Sequence, residues 1–392
     1  MKKAKKFIAL LLTLAFVAAM ISCGKNQEQE HIHKIGVLVY DLKDEQVQAF
    51  REYMEGYLGE NFSDVDFLYS AGVTTDVEEM EFLNNAIAAG VEGIIAFNSF
   101  DIEKEVSLCA SHGVYYLRPS STTAPEDFDK VADNPYFLGY FGPGNEMEYQ
   151  AGYDMGAYFA KEQISDSYFL LSGGAGTNVM HEQRAEGMLD ALQEAYGVQF
   201  DQSSTELASS SETVSVEAGN LKVTVFPGYI GVPDVGQQAV AAFEKDPAGV
   251  VMSAIPVQAI ADSLGDASLG TVDCYTETNG ELFKKGNLKY LCGKYESIIG
   301  PAFAAMYNAV TGYSEDFRED GKAFAIQQGF WTSTNYQDFQ EKYELSSGIT
   351  LNAYSYEDLL EVCKAHNPNA TLDDLKGLAG AWDFDSAVQR RK

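Results

Sequence analysis

A glycine-rich turn followed by an arginine is the arrangement in this sequence whose residue types best suit binding chemistry. The apolar run Tyr168–Leu171 is typical of a β-strand, the turn Ser172–Gly176 follows it, and a helix is predicted from about Asn178. In open parallel α/β sheets, ligands bind beside such turns at the carboxyl ends of the strands. Backbone N–H groups and the long cation of Arg184 together suit a polar ligand with oxygen acceptors. The alternative is that Arg184 is an ordinary solvated residue of the helix.

The same stretch begins several catalytic or cofactor motifs but completes none of them. Gly174-Ala175-Gly176 begins a dinucleotide fingerprint, but Val179 occupies the third glycine position, and no Gly-Lys-Ser/Thr forms a phosphate loop. His181-Glu182 begins a zinc-helix motif, but Ala185 stands where the second histidine should be. The sequence also lacks a nucleophile elbow. It therefore favours binding over catalysis and predicts no catalytic residue, no cofactor and no metal site.

Strand-like and helix-like segments alternate along the chain and must position these residues. At 392 residues the chain is too long for one ordinary core, so two domains are predicted. Because parallel neighbouring strands need crossover helices, the alternation predicts an α/β fold with doubly wound parallel sheets. The predicted strands are Lys34–Tyr40, Val65–Ser70, Gly93–Asn98, Val114–Leu117, Tyr136–Phe141, Tyr168–Leu171, Leu221–Phe226, Val250–Ile255, Val272–Tyr275 and Leu288–Tyr295.

Three segments interrupt or extend this alternation. The breaker cluster Gly142-Pro143-Gly144-Asn145 predicts a crossover between domains, and the polar segment Asp201–Ser215 predicts a surface insertion. The tail from Tyr336 to Lys392 contains two predicted helices, Tyr356–Ala365 and Leu372–Leu378, the second capped by Thr371. We expect the tail to pack on one domain, near the crossover segments.

Residues 1–22 are predicted to be a targeting segment. The apolar run Phe7–Met20 is too short to span a bilayer comfortably and suits a signal peptide. Met20-Ile21-Ser22-Cys23 resembles a bacterial lipoprotein cleavage box, which implies lipidation of Cys23 and a tether over residues 23–33. The alternative is an ordinary secretory signal. Both predict a location outside the cytoplasm, and the first adds anchoring to a bacterial membrane. The basic region that precedes the apolar run consists of Lys2, Lys3, Lys5 and Lys6.

The charge balance limits the partners of the chain. The formal net charge is −31, and cleavage of a lysine-rich signal would make it more negative. Nucleic acid binding is disfavoured because phosphate contact needs a basic surface. A neutral ligand enters such a field more easily than an anion does, although a local arginine could still hold an anion.

The remaining cysteines are widely spaced and include no CxxC pair. They are Cys109, Cys274, Cys292 and Cys363. Buried free thiols are therefore predicted. The alternative is a pairing of Cys274 with Cys292, since both lie in strand-like runs.

Together these segments resemble the sugar-binding, ribose-type branch of the type I periplasmic binding proteins, the capture subunits of ABC importers. The resemblance covers about residues 34–330. It implies two Rossmann-like lobes joined by three hinge strands, with a ligand held between the lobes. The crossovers would fall near Gly142–Asn145, Asn287–Lys294 and Ala323–Phe330. Lobe 1 would comprise 34–143 plus 295–325, lobe 2 would comprise 144–294, and residues 326–392 would hold the third hinge strand and the C-terminal extension.

The resemblance also implies ligand-binding positions. Asn98 stands where the third strand of the family ends in a cleft asparagine, and Arg118 keeps one of two polar residues that follow the fourth strand. Arg184-Ala185-Glu186-Gly187 matches the setting of a binding arginine in the family. Glu277 and Lys294 replace an aspartate and a hinge glutamine. Alternatively, Asn98 and Glu277 are helix caps, and Lys294 is a solvated strand-end residue.

Other positions depart from the family. The first loop offers only Tyr40 and Asp41 where aromatic residues usually sandwich a sugar, and Asn145 lies at the first crossover. Two arginines, a lysine and a glutamate in a cleft would suit a charged or modified sugar. Several tyrosines are either sugar platforms or core residues. They are Tyr40, Tyr229, Tyr275 and Tyr295.

The expected function is capture of a sugar, sugar acid or polyol for an ABC permease, by a monomer held at the membrane through a lipid anchor. The alternatives are a sensor of the same fold that presents its closed form to a receptor or kinase, and a nucleoside-binding member of the family. An enzyme is disfavoured because the five histidines include His31 and His33 of the predicted tether, which leaves few for acid–base work.

Overall fold

A computed structural model describes residues 31–162, 164–174, 178–346 and 352–391. The predicted signal peptide, the predicted lipidation site Cys23 and most of the predicted tether lie outside the described residues. Within the described residues, no helix is both long enough and apolar enough to cross a bilayer.

The first sheet has six parallel strands in the order β12-β5-β4-β3-β1-β2. Its inner strands are short apolar runs, and all four residues of the third are buried. This burial on both faces is typical of parallel sheets that helices cover on each side. The strands are β1 His33–Leu38, β2 Val65–Tyr69, β3 Gly93–Ala96, β4 Tyr115–Arg118, β5 Phe137–Gly142 and β12 Phe324–Gln327.

The second sheet has seven strands in the order β13-β11-β10-β9-β6-β8-β7. Its five inner strands are parallel, and the two edge strands β7 and β13 run antiparallel to their neighbours. The predicted α/β class with parallel sheets is therefore confirmed. The strands are β6 Ser167–Leu171, β7 Val214–Ala218, β8 Leu221–Phe226, β9 Val250–Ser253, β10 Ser268–Cys274, β11 Leu288–Lys294 and β13 Trp331–Ser333.

Helices connect the strands, and local capping explains where many of them begin. Asp44 caps α1, Thr75 and Glu78 form a capping box on α2, and Asn178 caps α6. The helices are α1 Glu45–Arg51, which continues as the π-helix Glu52–Leu58, α2 Asp76–Ala88, α3 Ile102–Ser111, α4 Pro125–Val131, α5 Asn145–Glu162, α6 Val179–Tyr196, α7 Ser204–Ala208, α8 Pro233–Lys245, α9 Glu277–Lys285, α10 Gly300–Asn308, α11 Tyr336–Ser346, α12 Tyr356–Val362, α13 Leu372–Gly380 and α14 Phe384–Arg390.

The polar segment 201–215 is more regular than the sequence predicted. Ser203 and Glu206 form a capping box that begins α7, and β7 then pairs with β8 through a hairpin. Gly219 in the hairpin turn has φ = 61°, a conformation that favours glycine. The segment therefore supplies an edge strand of the second sheet.

The C-terminal extension packs where the chain passes between the sheets. Tyr295 follows β11, Trp331 begins β13, and their rings stack with centroids 3.8 Å apart. The Tyr295 hydroxyl and the Trp331 Nε1 each donate a hydrogen bond of 2.8 Å to the carbonyl of Trp382. The extension therefore braces two of the connecting segments.

The four cysteines of the described chain are free and buried, which confirms the predicted thiols. In the parallel register of β10 and β11, Cys292 lies opposite Val272, and Cys274 lies opposite Lys294. The alternative pairing of Cys274 with Cys292 is therefore wrong.

Helices α5 and α6 approach each other through glycines. A Cβ atom added at Gly187 would collide with the backbone of Tyr149 and Tyr153 on α5. A Cβ atom added at Gly152 would collide with the backbone of Arg184 on α6. Gly187 thus ends the Arg-Ala-Glu-Gly motif for a packing reason, because it lets α5 lie directly against the turn that carries Arg184.

We predict that Gly187→Ala lowers the free energy of unfolding by about 1–3 kcal/mol, since backbone atoms cannot move aside as a side chain can. Urea denaturation measures this effect. The control is Gly377→Ala, at an exposed helical glycine with open space around it. That change should be neutral or stabilise by up to about 1 kcal/mol. Equal stability of the two variants would show that the helix contact is not tight.

Candidate ligand-binding cleft

The carboxyl ends of the strands of both sheets meet across a cleft. Lys294 ends β11 of the second sheet and donates a 2.6 Å hydrogen bond to the carbonyl of Ser120, which follows β4 of the first sheet. Thr278, at the start of α9, donates a 2.6 Å bond to Glu45, at the start of α1. Because ligands of open α/β sheets bind at the carboxyl edge, this cleft is the candidate site.

Arg184 forms a buried ion pair at this edge. Its Nε donates to Glu148 of α5 at 2.6 Å, and the two side chains are 7% and 0% exposed. A second guanidinium nitrogen donates to the carbonyl of Ala254 at 2.8 Å. The other Glu148 oxygen accepts from Thr122 at 3.2 Å. Arg184 is therefore not a solvated helix residue, and a neighbouring carboxylate already balances its charge.

Lys294 is buried beside this pair. Burial lowers the pKa of Lys294 to about 8, against the opposing effect of Glu148. Its acceptor Ser120 has φ = 50°, a left-handed conformation that is uncommon for a residue with a side chain. Arg184 and Lys294 also lie over the ring of Phe330, at 5.6 Å and 5.9 Å from its centroid. The alternative of a solvated strand-end lysine is therefore wrong.

An aspartate that the sequence analysis missed lies at the end of β10. Asp273 is buried and accepts hydrogen bonds from Asn279, at 2.6 Å, and from Gln258. Burial raises the pKa of Asp273 to about 7. The sequence did contain a signal, since Asp273 is an acidic residue inside an apolar strand. A residue of such a strand faces the protein interior unless the strand lies at the edge of the sheet.

Aromatic side chains line the loops on both sides of the cleft. Tyr40 follows β1 and is half-buried, and burial together with the nearby Asp44 raises its pKa well above the ordinary value. His181 lies parallel to the ring of Tyr229, with centroids 6.4 Å apart. Burial, reinforced by Arg184, lowers the pKa of His181 to about 3. The neutral imidazole donates through Nδ1 to the carbonyl of Gly173 at 3.0 Å.

Asn98 and Arg118 lie at the carboxyl edge of the first sheet. Asn98 donates to the buried Glu79 at 3.2 Å, and burial raises the pKa of Glu79 to about 9. Arg118 donates to Thr123 at 3.4 Å. Asp101 and Thr276 cap the helices α3 and α9, so Asn98 and Glu277 are not those caps.

Three of the predicted ligand-binding residues make few or no side-chain contacts with other described residues in the cleft. Asp41 is exposed, and its carboxylate accepts from the backbone of Lys43 at 2.8 Å. Glu277 is exposed as the first residue of α9, and Asn145 is the half-buried first residue of α5. The tyrosines Tyr275 and Tyr295 are fully buried core residues rather than sugar platforms.

Several buried polar atoms have no hydrogen-bond partner among the described residues, and six of them belong to side chains that end or follow the strands β3, β4, β9 and β10. They include carbonyl acceptors, serine hydroxyls and one guanidinium donor. Unpartnered buried polar atoms are rare, and each costs about 1–3 kcal/mol. In a folded protein such atoms are usually satisfied by water or by a bound molecule. The atoms are Asn98 Oδ1, Arg118 Nε, Ser120 Oγ, Ser121 Oγ, Gln258 Oε1 and Asn279 Oδ1.

Comparison with known proteins identifies the fold. No family model and no curated protein matches the sequence. A solute-binding protein from Actinobacillus succinogenes 130z with bound D-allose matches with a TM-score of 0.59 and 13% identity, over 79% of this chain and 99% of that chain. A carbohydrate transporter protein from Acidothermus cellulolyticus 11B in complex with myo-inositol matches with a TM-score of 0.57 and 16% identity, over 82% and 99%. A galactofuranose binding protein matches with a TM-score of 0.58 and 10% identity, over 80% and 98%.

The fold, with its two parallel-stranded α/β units, is that of the type I periplasmic binding proteins. Many of the matching structures are sugar-binding periplasmic proteins of ABC transporters. The resemblance stated from the sequence is therefore confirmed at the level of the fold.

We predict that Arg184→Ala destabilises the protein by about 3–5 kcal/mol, because Glu148 would remain as an uncompensated buried charge. Urea denaturation of the single variants and of Arg184→Ala/Glu148→Ala tests this. The double variant should lose less stability than the sum of the singles, since it removes both charges. Additive losses would contradict the pairing. Lys130→Ala, in the exposed pair with Asp127, is the control and should leave unfolding unchanged.

We also predict a pH dependence from Asp273. Its folded pKa of about 7 lies above the ordinary value of about 3.9, so the folded state holds the proton longer than the unfolded state does. The free energy of unfolding should therefore fall as pH rises from about 4 to about 7, with a slope of at most about 1.4 kcal/mol per pH unit from this group.

Asp273→Asn should remove this part of the slope, whatever its effect on absolute stability. The exposed Asp262→Asn is the control for loss of one negative charge. An unchanged slope in Asp273→Asn would mean that Asp273 does not titrate in this range.

Proposed function

We propose that the protein is an extracytoplasmic, lipid-anchored solute-binding protein that captures a sugar or sugar-like molecule between two lobes for import by an ABC permease. The observation that carries this proposal is the set of six unpartnered polar atoms on the facing edges. A sugar hydroxyl both donates and accepts, so it can satisfy carbonyl, hydroxyl and guanidinium groups alike. The sugars and the polyol in the matching structures belong to the same chemical class.

The lobes in this proposal follow the expected division. Lobe 1 comprises 34–143 and 295–325, and lobe 2 comprises 144–294, with the connecting segments as hinges. Tyr40, Asn98, Arg118 and Lys294 are proposed to contact the ligand. The bonds from Lys294 to Ser120 and from Thr278 to Glu45 would form as the lobes close, so closure would report occupancy to the permease.

The charges in the cleft favour a neutral sugar or polyol over a sugar acid. Glu148 already compensates the charge of Arg184, and burial lowers the pKa of Lys294 to about 8, so this lysine is the more easily neutralised of the two remaining cations, Arg118 and Lys294. The formal net charge of −31 further opposes the approach of an anion. Arg184 and Glu148 would then hold the site in shape rather than select the charge of the ligand.

A thermal-shift screen tests the proposal on the chain from residue 24, which keeps every residue that the structure describes. The compounds are neutral sugars, polyols, sugar acids, nucleosides and amino acids. A ligand at about a hundred times its dissociation constant should add about 2.7 kcal/mol of stability. A response to neutral sugars or polyols supports the proposal. Responses only to nucleosides or amino acids, or to no compound, would contradict it.

Once a ligand has been identified, we predict that Arg118→Met weakens the binding of that ligand about tenfold to a hundredfold. This loss is equivalent to one hydrogen bond to a charged group. The fold should persist, because Arg118 makes only one long hydrogen bond within the described chain. Isothermal titration calorimetry measures the affinity. The control is Arg51→Met at an exposed arginine. Unchanged affinity in Arg118→Met would remove this residue from the site.

A further inference from the structure

Two histidines and a glutamate meet at the end of the first sheet opposite to the cleft. His33 is the first residue of β1, and Glu92 directly precedes β3, its parallel neighbour. The backbone N–H of Glu92 donates to the carbonyl of Lys34 at 2.8 Å, which fixes the two strand starts side by side. His31 lies two residues before His33, so the extended chain can present both imidazoles on one side.

The carboxylate of Glu92 bridges the two rings. His31 Nε2 lies 2.7 Å from one carboxylate oxygen, and His33 Nδ1 lies 2.9 Å from the other. One ligand atom from each of the three residues falls within 4.8 Å of the others. The side chains are 69%, 12% and 31% exposed for His31, His33 and Glu92. The sheet therefore fixes His33 and Glu92 in place, while His31 leaves one side of the cluster open to solvent.

This donor set matches the preferences of zinc and related divalent metals. Two imidazole nitrogens and a carboxylate oxygen bind Zn²⁺ at about 2.0–2.2 Å, and water can complete the tetrahedron from the open side. Such bond lengths place tetrahedral donors about 3.3 Å apart. The histidine–glutamate contacts of 2.7 Å and 2.9 Å would therefore lengthen by about half an ångström, and the widest separation in the cluster, within 4.8 Å, would shorten. An exposed side chain such as His31 can make that adjustment.

We propose that His31, His33 and Glu92 form a binding site for a divalent transition metal of the zinc class, separate from the ligand cleft. The site holds residue 31, at the end of the predicted tether, against the base of the first sheet. A bound metal would therefore fasten the tether to the folded body. This role is independent of ligand capture.

Isothermal titration of the chain from residue 24 with ZnCl₂, in excess Mg²⁺ to occupy nonspecific acidic sites, tests the proposal. Binding of one Zn²⁺ is expected, and Co²⁺ at the same site should give the visible absorption of a four- or five-coordinate ion. His31→Ala, His33→Ala and Glu92→Gln should each weaken Zn²⁺ binding by about tenfold or more.

The matched control is His112→Ala, at an exposed histidine outside the cluster, and it should bind Zn²⁺ as the parent chain does. His31→Ala keeps the test valid if another variant fails to fold, because His31 is largely exposed and precedes β1. Absence of Zn²⁺ binding would overturn the proposal. Equal affinity in His31→Ala and the parent chain would overturn it as well.

Discussion

The cleft depends on one buried ion pair, between Arg184 and Glu148. Removing two charges from water costs several kcal/mol for each ion, so such a pair persists only where further hydrogen bonds complete it. Here the carbonyl of Ala254 and the hydroxyl of Thr122 supply them. Ala254 follows a strand of the second sheet, and Thr122 belongs to a loop of the first. The pair therefore links α5 and α6 to both sides of the cleft, and the glycine contact at Gly187 brings the two helices close enough for it to form.

Burial also shifts the pKa values of several ionisable groups in this region toward neutral pH. The pKa of Lys294 is lowered to about 8, and those of Asp273 and Glu79 are raised to about 7 and about 9. Each shift arises mainly because the charged form loses its hydration.

The sequence predicted the scaffold well because its signals are local. The alternation of apolar strands and amphipathic helices predicted five strands of each sheet, but not β7, β12 or β13. Thr371 was identified as a cap from neighbouring residues alone. Local signals also failed in places. Helix α8, for example, begins at Pro233 after Val232 without a capping side chain, since proline fixes the backbone of the first turn. Asp273 lies inside a strand that the sequence analysis predicted, but it was missed because the binding residue was sought after the strand, at Glu277.

The sequence by itself determined the class of the fold, the buried thiols and the strand ends at which the candidate site residues lie. Residue type and periodicity within short windows carry that information. Only the tertiary structure decided what those residues do. The partner of Arg184 lies 36 positions away, and the acceptor of Lys294 lies 174 positions away. Whether Arg184 carries a free or a compensated charge depends on which helix packs against it, and that choice is made by long-range packing that no local pattern encodes.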